Sequence, residues 1–164
     1  MKVICSSEES LYRPEAVRWR QRMELMKPLG DTVVLLPCSM KKPYSNSKSH
    51  QKFRKVTRSF QELIITSPFG ICPRELENTF PIQSYDVAVT GSWSQDEIDE
   101  SGKLLEKYVK GKNVIANVHR GYEEVCRQYL DECTYTCKDG RPTSPDSIYN
   151  LRMELKEHKR NNRR

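Results

Sequence analysis

Short apolar runs alternate with longer amphipathic stretches along the chain, a pattern typical of strands separated by helices. Apolar runs at residues 32–36, 62–66 and 113–118 are too short for helices, so they predict buried strands of a parallel sheet. A further strand is predicted over residues 85–90. Helices are predicted over residues 14–28, 50–60 and 122–130. A further helix is predicted between its cap Ser94 and Gly111, and a last one begins after its cap Ser144.

This order of elements predicts an α/β fold, a three-layer sandwich with a largely parallel sheet. We expect a single domain over residues 1–155, followed by a basic and frayed tail over residues 156–164. Residues 67–81 hold three prolines and one glycine, which predicts a long irregular connection with one helical turn at residues 74–78.

Ligands of such sheets bind at the carboxyl ends of the strands. The turns after the four predicted strands are therefore expected to converge on one site. They are Pro37-Cys38, Thr66-Ser67-Pro68, Val89-Thr90-Gly91 and Val118-His119.

The positive charge of the chain is unevenly placed. The net charge is +6, yet residues 41–58 contain seven basic residues and no acidic one, and residues 156–164 contain five basic residues and one acidic one. The remainder of the chain is mildly acidic. A basic patch on such a body suits a polyanionic partner, although basic runs are also common on solvated surfaces.

Composition excludes several classes of protein. No apolar run is long enough for a membrane span, and residues 1–11 lack the apolar stretch of a secretory signal, so we expect a cytoplasmic protein with six reduced cysteines. Cys133 and Cys137 have no second pair or nearby histidine, so no metal site is predicted. No glycine-rich nucleotide cradle is present, and no cofactor is expected.

Cys38 is the first candidate for chemistry. It leaves a predicted strand into a loop that contains Lys41 and Lys42, and neighbouring cations favour the nucleophilic thiolate. Cysteine also commonly ends a core strand. Two roles are likewise open for His50: a general acid or base, or simply the first residue of an exposed helix.

The segment from Pro37 to His50 resembles the P-C-x-x-x-K-P-Y-x-x-S-x-x-H signature of the archaeosine synthase family, archaeal tRNA-modifying enzymes related to tRNA-guanine transglycosylases. Residues 66–70, 73–76, 85–94 and 140–144 are similar to the same domain, and the resemblance runs over residues 14–155. It implies a fold like that of the uracil-DNA glycosylase superfamily.

The resemblance also implies an activity. Lysine would be added to the nitrile of 7-cyano-7-deazaguanine in the D-loop of tRNA, and a radical-SAM partner would then complete archaeosine. The substrates would be tRNA and free lysine, and a transglycosylase-like subunit with a PUA domain would be a further partner.

Roles follow for individual residues. Cys38 would attack the nitrile carbon, and His50 or Lys42 would donate a proton to its nitrogen; direct attack by the amine, with Cys38 a spectator, remains open. Arg74 or Glu75 would contact the free lysine. Asp86 would read the deazaguanine edge or serve as a structural cap. Further substrate contacts are assigned to Tyr44, Ser47, Ser67 and Thr90, and RNA contacts to Lys41, Lys48, Lys52 and Lys55.

Two other functions remain open from the sequence. One is a nucleobase hydrolase similar to the glycosylases, in which an activated water rather than Cys38 would react. The other is a non-catalytic RNA-binding module, in which only the basic patch would matter.

Overall fold

The computed structural model describes residues 3–5, 9–87 and 91–162. The strands are β1 (Val3–Cys5), β2 (Thr32–Pro37), β3 (Gln61–Thr66), β4 (Gly70–Pro73), β5 (Tyr85–Val87), β6 (Asn113–Ala116) and β7 (Thr134–Tyr135). The helices are α1 (Pro14–Met23), α2 (Lys48–Thr57), α3 (Gln95–Tyr108), α4 (Arg120–Tyr129) and α5 (Pro145–Asn162). Short 3₁₀ turns lie at Glu9–Tyr12, Tyr44–Asn46, Arg74–Leu76 and Ile82–Ser84.

The main sheet is mixed rather than largely parallel. Its strands lie in the order β4-β3-β2-β6-β7, and β4 runs antiparallel to β3 while the other neighbours are parallel. The strand predicted over residues 85–90 does not join it, since β5 pairs with β1 in a separate two-stranded parallel sheet. Residues 88–90 lie outside the described residues.

The irregular connection expected over residues 67–81 contains β4, so that prediction was wrong in part. Gly70 has φ +88° and faces Thr66 across the pair, which lets the chain reverse within three residues. A Cβ at Gly70 would lie 2.9 Å from Cδ2 of Leu104 in α3. The helical turn expected at 74–78 is the 3₁₀ turn Arg74–Leu76.

Helices cover the main sheet on both faces, which confirms three layers. Residues of β2 alternate between two apolar clusters: Val33 and Leu35 pack in the cluster that contains α1, α3 and α4. Val34 and Leu36 pack in the cluster that contains Phe53 of α2 and residues of α5. All six residues of β2 are buried, as expected of a strand covered on both faces.

The helix caps agree with the sequence signals. Ser94 Oγ accepts a hydrogen bond from the Glu97 amide at 3.2 Å, and Ser144 Oγ accepts one from the Ser147 amide at 3.1 Å. Helix α5 extends to Asn162, so residues 156–162 are helical rather than frayed. No helix within the described ranges is both long and apolar enough to span a membrane.

Candidate active site

Cys38 lies immediately beyond the carboxyl end of β2 and is half-buried. Its Sγ is 2.9 Å from the hydroxyl oxygen of Tyr122, a residue of α4 that is only 1% exposed. The ends of β2 and of the β6–α4 connection therefore converge, as the sequence predicted. The sequence did not predict that Tyr122 would be the residue in contact with Cys38.

The turn between β6 and α4 fixes the position of Tyr122. Arg120 adopts φ 48°, a left-handed conformation that is rare for residues other than glycine. The Gly121 amide donates to the Gly91 carbonyl at 3.0 Å, and a Cβ at Gly121 would lie 2.4 Å from Trp93. Only glycine therefore allows Trp93 to approach this turn so closely.

Two rings hold the phenol of Tyr122. Trp93 meets it edge to face with centroids 5.0 Å apart, and His119 stacks on it at 5.7 Å. Burial, and then the neighbouring Cys38, raise the pKa of Tyr122 well above the usual value for a phenol. The hydroxyl therefore keeps its proton at neutral pH and donates it to the sulfur whenever Cys38 is a thiolate.

His50 is fully buried and bonded through both ring nitrogens. Its Nε2 lies 2.7 Å from the carbonyl oxygen of Pro37, and its Nδ1 lies 2.8 Å from Nη2 of Arg74. Because arginine only donates, Nδ1 accepts and Nε2 carries the proton. Burial, and then the charge of Arg74, lower the pKa of His50 to about 3. The imidazole is thus neutral, and it holds the backbone next to Cys38.

Arg74 lies in a buried polar network rather than at the surface. It donates two hydrogen bonds of 3.1 Å to the Glu62 carboxylate, and its Nη1 lies 3.6 Å from Oε2 of Glu77. Glu77 in turn accepts hydrogen bonds from the Ser45 amide and hydroxyl at 2.7 and 2.6 Å. The network therefore ties β3 and β4 to the loop that follows Cys38.

The other motif residues shape this loop. Ser47 caps α2, since its Oγ accepts from the His50 amide at 3.2 Å. Tyr44 is fully buried, and its hydroxyl donates to Thr66 Oγ1 at 3.4 Å. Lys42 donates to the Ser39 carbonyl, and its Nζ lies 4.8 Å from the centre of the Tyr44 ring.

Two buried polar atoms near the sheet end lack partners within the described residues. They are Ser67 Oγ, directly after β3, and His119 Nδ1, shortly after β6. Both belong to the turns that were expected to converge. Unpaired buried polar atoms are unusual in folded proteins, and at a strand end they suit contact with a substrate.

Glu75 lies apart from the loop that follows Cys38. Glu75 is exposed and accepts hydrogen bonds of 3.1 and 3.0 Å from Gln61, the first residue of β3. Pro37, which precedes Cys38, pairs with Ile65 near the opposite end of β3. The structure therefore does not bring Glu75 to Cys38. Asp86 pairs with Ile4 in the register of the separate small sheet, and Thr90 lies outside the described residues.

The assigned lysines form an exposed row. Lys48, Lys52 and Lys55 lie at spacings of four and three on α2, hence on one face, and Lys41 is exposed in the preceding loop. A groove of about 460 Å³ lies between α2 and α5. Its lining consists of four apolar or hydroxyl residues, three basic residues and the exposed Tyr149. The cations are Lys52, Lys55 and Arg152.

Sequence reasoning missed Tyr122, Trp93 and His119 as site residues. Tyr122 begins the helix predicted over residues 122–130, and a tyrosine that merely packs in the core matches that pattern equally well. His119 directly follows a predicted strand, and Trp93 lies within residues 85–94, which are similar to the archaeosine synthase family.

Comparison with known proteins places this site in a family. An archaeosine synthase of Methanocaldococcus jannaschii is 40% identical over 169 residues, which cover 96% of this chain and 28% of that protein. The archaeosine synthase subunit alpha of Methanosarcina acetivorans is 38% identical over 164 residues, covering 92% of this chain and 26% of that protein. The chain thus spans little more than a quarter of the length of these curated relatives.

A solved structure shares the architecture. The crystal structure of AF0587, a protein of unknown function, matches with a TM-score of 0.68 and 32% identity over 84% of this chain and 48% of that one. A family model described as a domain of unknown function (DUF5591) matches residues 16–155. These matches confirm the resemblance: the chain belongs to the DUF5591 domain family and is a relative of the archaeosine synthases.

Proposed function

We propose that this domain is a tRNA-modifying transferase that adds lysine to the nitrile of 7-cyano-7-deazaguanine in the D-loop of tRNA, a step of archaeosine formation. The observation that carries the proposal is the half-buried Cys38 at a strand end, inside the family signature and hydrogen bonded to Tyr122. The names of the relatives support archaeosine formation, and the choice of lysine comes from the family resemblance.

The chemistry suits a cysteine. The Cys38 thiolate adds to the nitrile carbon and forms a thioimidate, and the amine of lysine then displaces the sulfur to leave an amidine. Lys42 contributes positive charge to the same loop. Arg74 already engages two buried carboxylates, so it shapes this loop and leaves recognition of the lysine carboxylate to other groups.

Lysine transfer is tested directly by incubating the protein, with and without a PUA-domain partner, with lysine and nitrile-bearing tRNA, and analysing the nucleosides by mass. We expect a lysine adduct from the wild type and none from Cys38→Ala. Cys133→Ala is the matched control, since Cys133 is another free, half-buried cysteine. Near-normal transfer by Cys38→Ala would remove the covalent step, and release of free base instead of an adduct would support a hydrolase.

Binding of tRNA is proposed for the exposed row of lysines and the groove beside it. Both α2 and α5 begin near the strand ends, because His50 bonds to the end of β2 and Asn117, after β6, donates to the carbonyl of Pro142 at 2.8 Å. Phosphates bound by Lys41 and Lys48, at the start of α2, would therefore lie close to Cys38, and Lys52 and Lys55 would bind phosphates farther along the RNA, because α2 runs from the end of β2 towards the start of β3. Tyr149, 59% exposed, offers a ring on which a base can stack.

Partner proteins complete the proposal. Some relatives are named as a subunit alpha, which supports a second subunit. We assign handling of the tRNA fold to a transglycosylase-like subunit with a PUA domain, and conversion of the lysine adduct to a radical-SAM protein. Co-purification of such a subunit with this chain, together with faster lysine transfer in its presence, is the expected result.

A further inference from the structure

Addition of a thiolate to a nitrile needs a proton donor at the nitrile nitrogen. That nitrogen is bonded directly to the attacked carbon, so its proton donor must lie beside the sulfur. The Tyr122 hydroxyl meets this requirement at 2.9 Å from Sγ of Cys38.

His50, a donor suggested by the sequence, is directed elsewhere. Its Nε2 proton is held by the Pro37 carbonyl at 2.7 Å, and its Nδ1 accepts from Arg74 at 2.8 Å. Releasing either bond would leave a buried polar group of the network unpaired. Lys42 is engaged by the Ser39 carbonyl and by the face of the Tyr44 ring.

The Tyr122 hydroxyl is protonated and rigidly placed. Its ring is held between Trp93 and His119, and Gly121 fixes the start of its helix against Trp93. Because the pKa of Tyr122 is raised, it is a weak acid towards water. The nitrogen anion that develops during attack on a nitrile is far more basic than a phenolate, so proton transfer to it is favourable.

We propose that Tyr122 is the proton donor of the addition step: its hydroxyl hydrogen bonds the Cys38 thiolate and passes its proton to the nitrile nitrogen as the carbon–sulfur bond forms. This inference rests on the proposed lysine transfer. The first step converts the thiolate, the nitrile and the phenol to a thioimidate and a phenolate. One π bond of the nitrile supplies the electron pair that takes the proton.

The second step restores the site. The phenolate takes a proton from the ammonium group of the incoming lysine, and the free amine adds to the thioimidate carbon. Collapse of that adduct expels the Cys38 thiolate and leaves a protonated amidine. No oxidant, reductant or further reactant is needed, and Tyr122 ends as the phenol it was at the start.

The first test measures the contact without tRNA. The rate of Cys38 alkylation by iodoacetamide is followed from pH 5 to 10 by peptide mass analysis in wild type, Tyr122→Phe and Tyr108→Phe. Tyr108 is the matched control, because it is buried and its hydroxyl has no partner within the described residues. In Tyr122→Phe we expect alkylation at pH 7 to be about threefold slower, since a hydrogen-bond donor to the thiolate is lost and the greater nucleophilicity of the freed thiolate offsets only part of that loss. In Tyr108→Phe the profile stays as in wild type.

The second test measures single-turnover lysine transfer to nitrile-bearing tRNA in the full complex. Tyr122→Phe is expected to be slower by about 10²- to 10⁴-fold and Tyr108→Phe unchanged. An alkylation profile or a transfer rate of Tyr122→Phe equal to wild type overturns the role of Tyr122. If wild type transfers no lysine while the alkylation profile shifts, the proposed reaction fails, but the contact with Cys38 stands. Melting temperatures of all three proteins establish that each is folded.

Discussion

The imidazole of His50 donates a hydrogen bond to the carbonyl oxygen of Pro37, the residue directly before Cys38. Its other nitrogen accepts from Arg74, so the end of β2 is joined to the buried charge network through one neutral ring. The position of Cys38 thus depends on the protonation state of a histidine that does not touch it.

This relationship predicts a dependence of stability on pH. The pKa of His50 is about 3 in the folded protein and about 6.5 in an unfolded chain, so below pH 6.5 the unfolded state binds a proton that the folded state does not. The stabilisation is complete above pH 6.5 and is lost as pH falls towards 3, at up to about 1.4 kcal/mol per pH unit. Urea unfolding of wild type and His50→Gln between pH 4 and 7.5 measures it.

Glutamine can donate to Pro37 and accept from Arg74, so His50→Gln keeps both bonds but has no titrating group. We expect its free energy of unfolding to fall less steeply than that of wild type as the pH is lowered. The difference between the two slopes should be that of one bound proton, up to about 1.4 kcal/mol per pH unit. Parallel curves for the two proteins would contradict the neutral, buried imidazole.

Removal of Arg74 should be costly. Arg74→Ala leaves the carboxylates of Glu62 and Glu77 buried without their cation, and we expect a loss of about 3–5 kcal/mol in the free energy of unfolding. The control is Arg160→Ala, which removes an exposed pair with Glu157 and should cost less than about 1 kcal/mol. Equal losses in urea unfolding of the two variants would show that the Arg74 network contributes no more than a surface pair.

Gly121 should tolerate no side chain while Trp93 is present. Gly121→Ala places a methyl 2.4 Å from the Trp93 ring, which predicts a loss of about 1–3 kcal/mol in the free energy of unfolding and a displaced Tyr122. Trp93→Ala removes the nearer obstacle and leaves the Gly91 carbonyl oxygen at 3.0 Å, so the double variant should be more stable than the sum of the single losses predicts, by about 1 kcal/mol. Urea unfolding of the three variants gives this coupling energy; simple additivity would contradict the close contact.

The sequence predicted the central strands and both layers of helices, because β2, β3 and β6 are mostly apolar runs and three of the helices, α2, α3 and α5, begin after a serine cap. It missed β4, since four residues among prolines carry little periodicity. Pairing of β5 with β1 was also beyond it, because partners some eighty residues apart are chosen by tertiary packing.

Within the candidate site, motif spacing predicts roles for Cys38, Lys42 and His50, but spacing carries no information on the direction of a side chain. His50 faces inward to Pro37 and Arg74, and Tyr122 joins Cys38 from eighty-four residues away. Such contacts depend on how the β6–α4 turn meets β2, which no local pattern records.

The groove between α2 and α5 should bind RNA through two separable interactions. Lys52→Ala with Lys55→Ala removes two phosphate contacts, so we expect weaker tRNA binding and a slope of log K against log salt concentration that is smaller by about 0.7–0.9 per lysine. Tyr149→Ala removes a stacking ring without a charge, so affinity should fall by about tenfold with the slope unchanged. Lys103→Ala with Lys107→Ala is the control, because these exposed lysines lie on α3, on the other side of the sheet. Fluorescence anisotropy with labelled tRNA at several salt concentrations distinguishes these cases. If the α3 variant loses as much affinity and slope as the α2 variant, binding reflects general positive charge, and the groove is not the tRNA site.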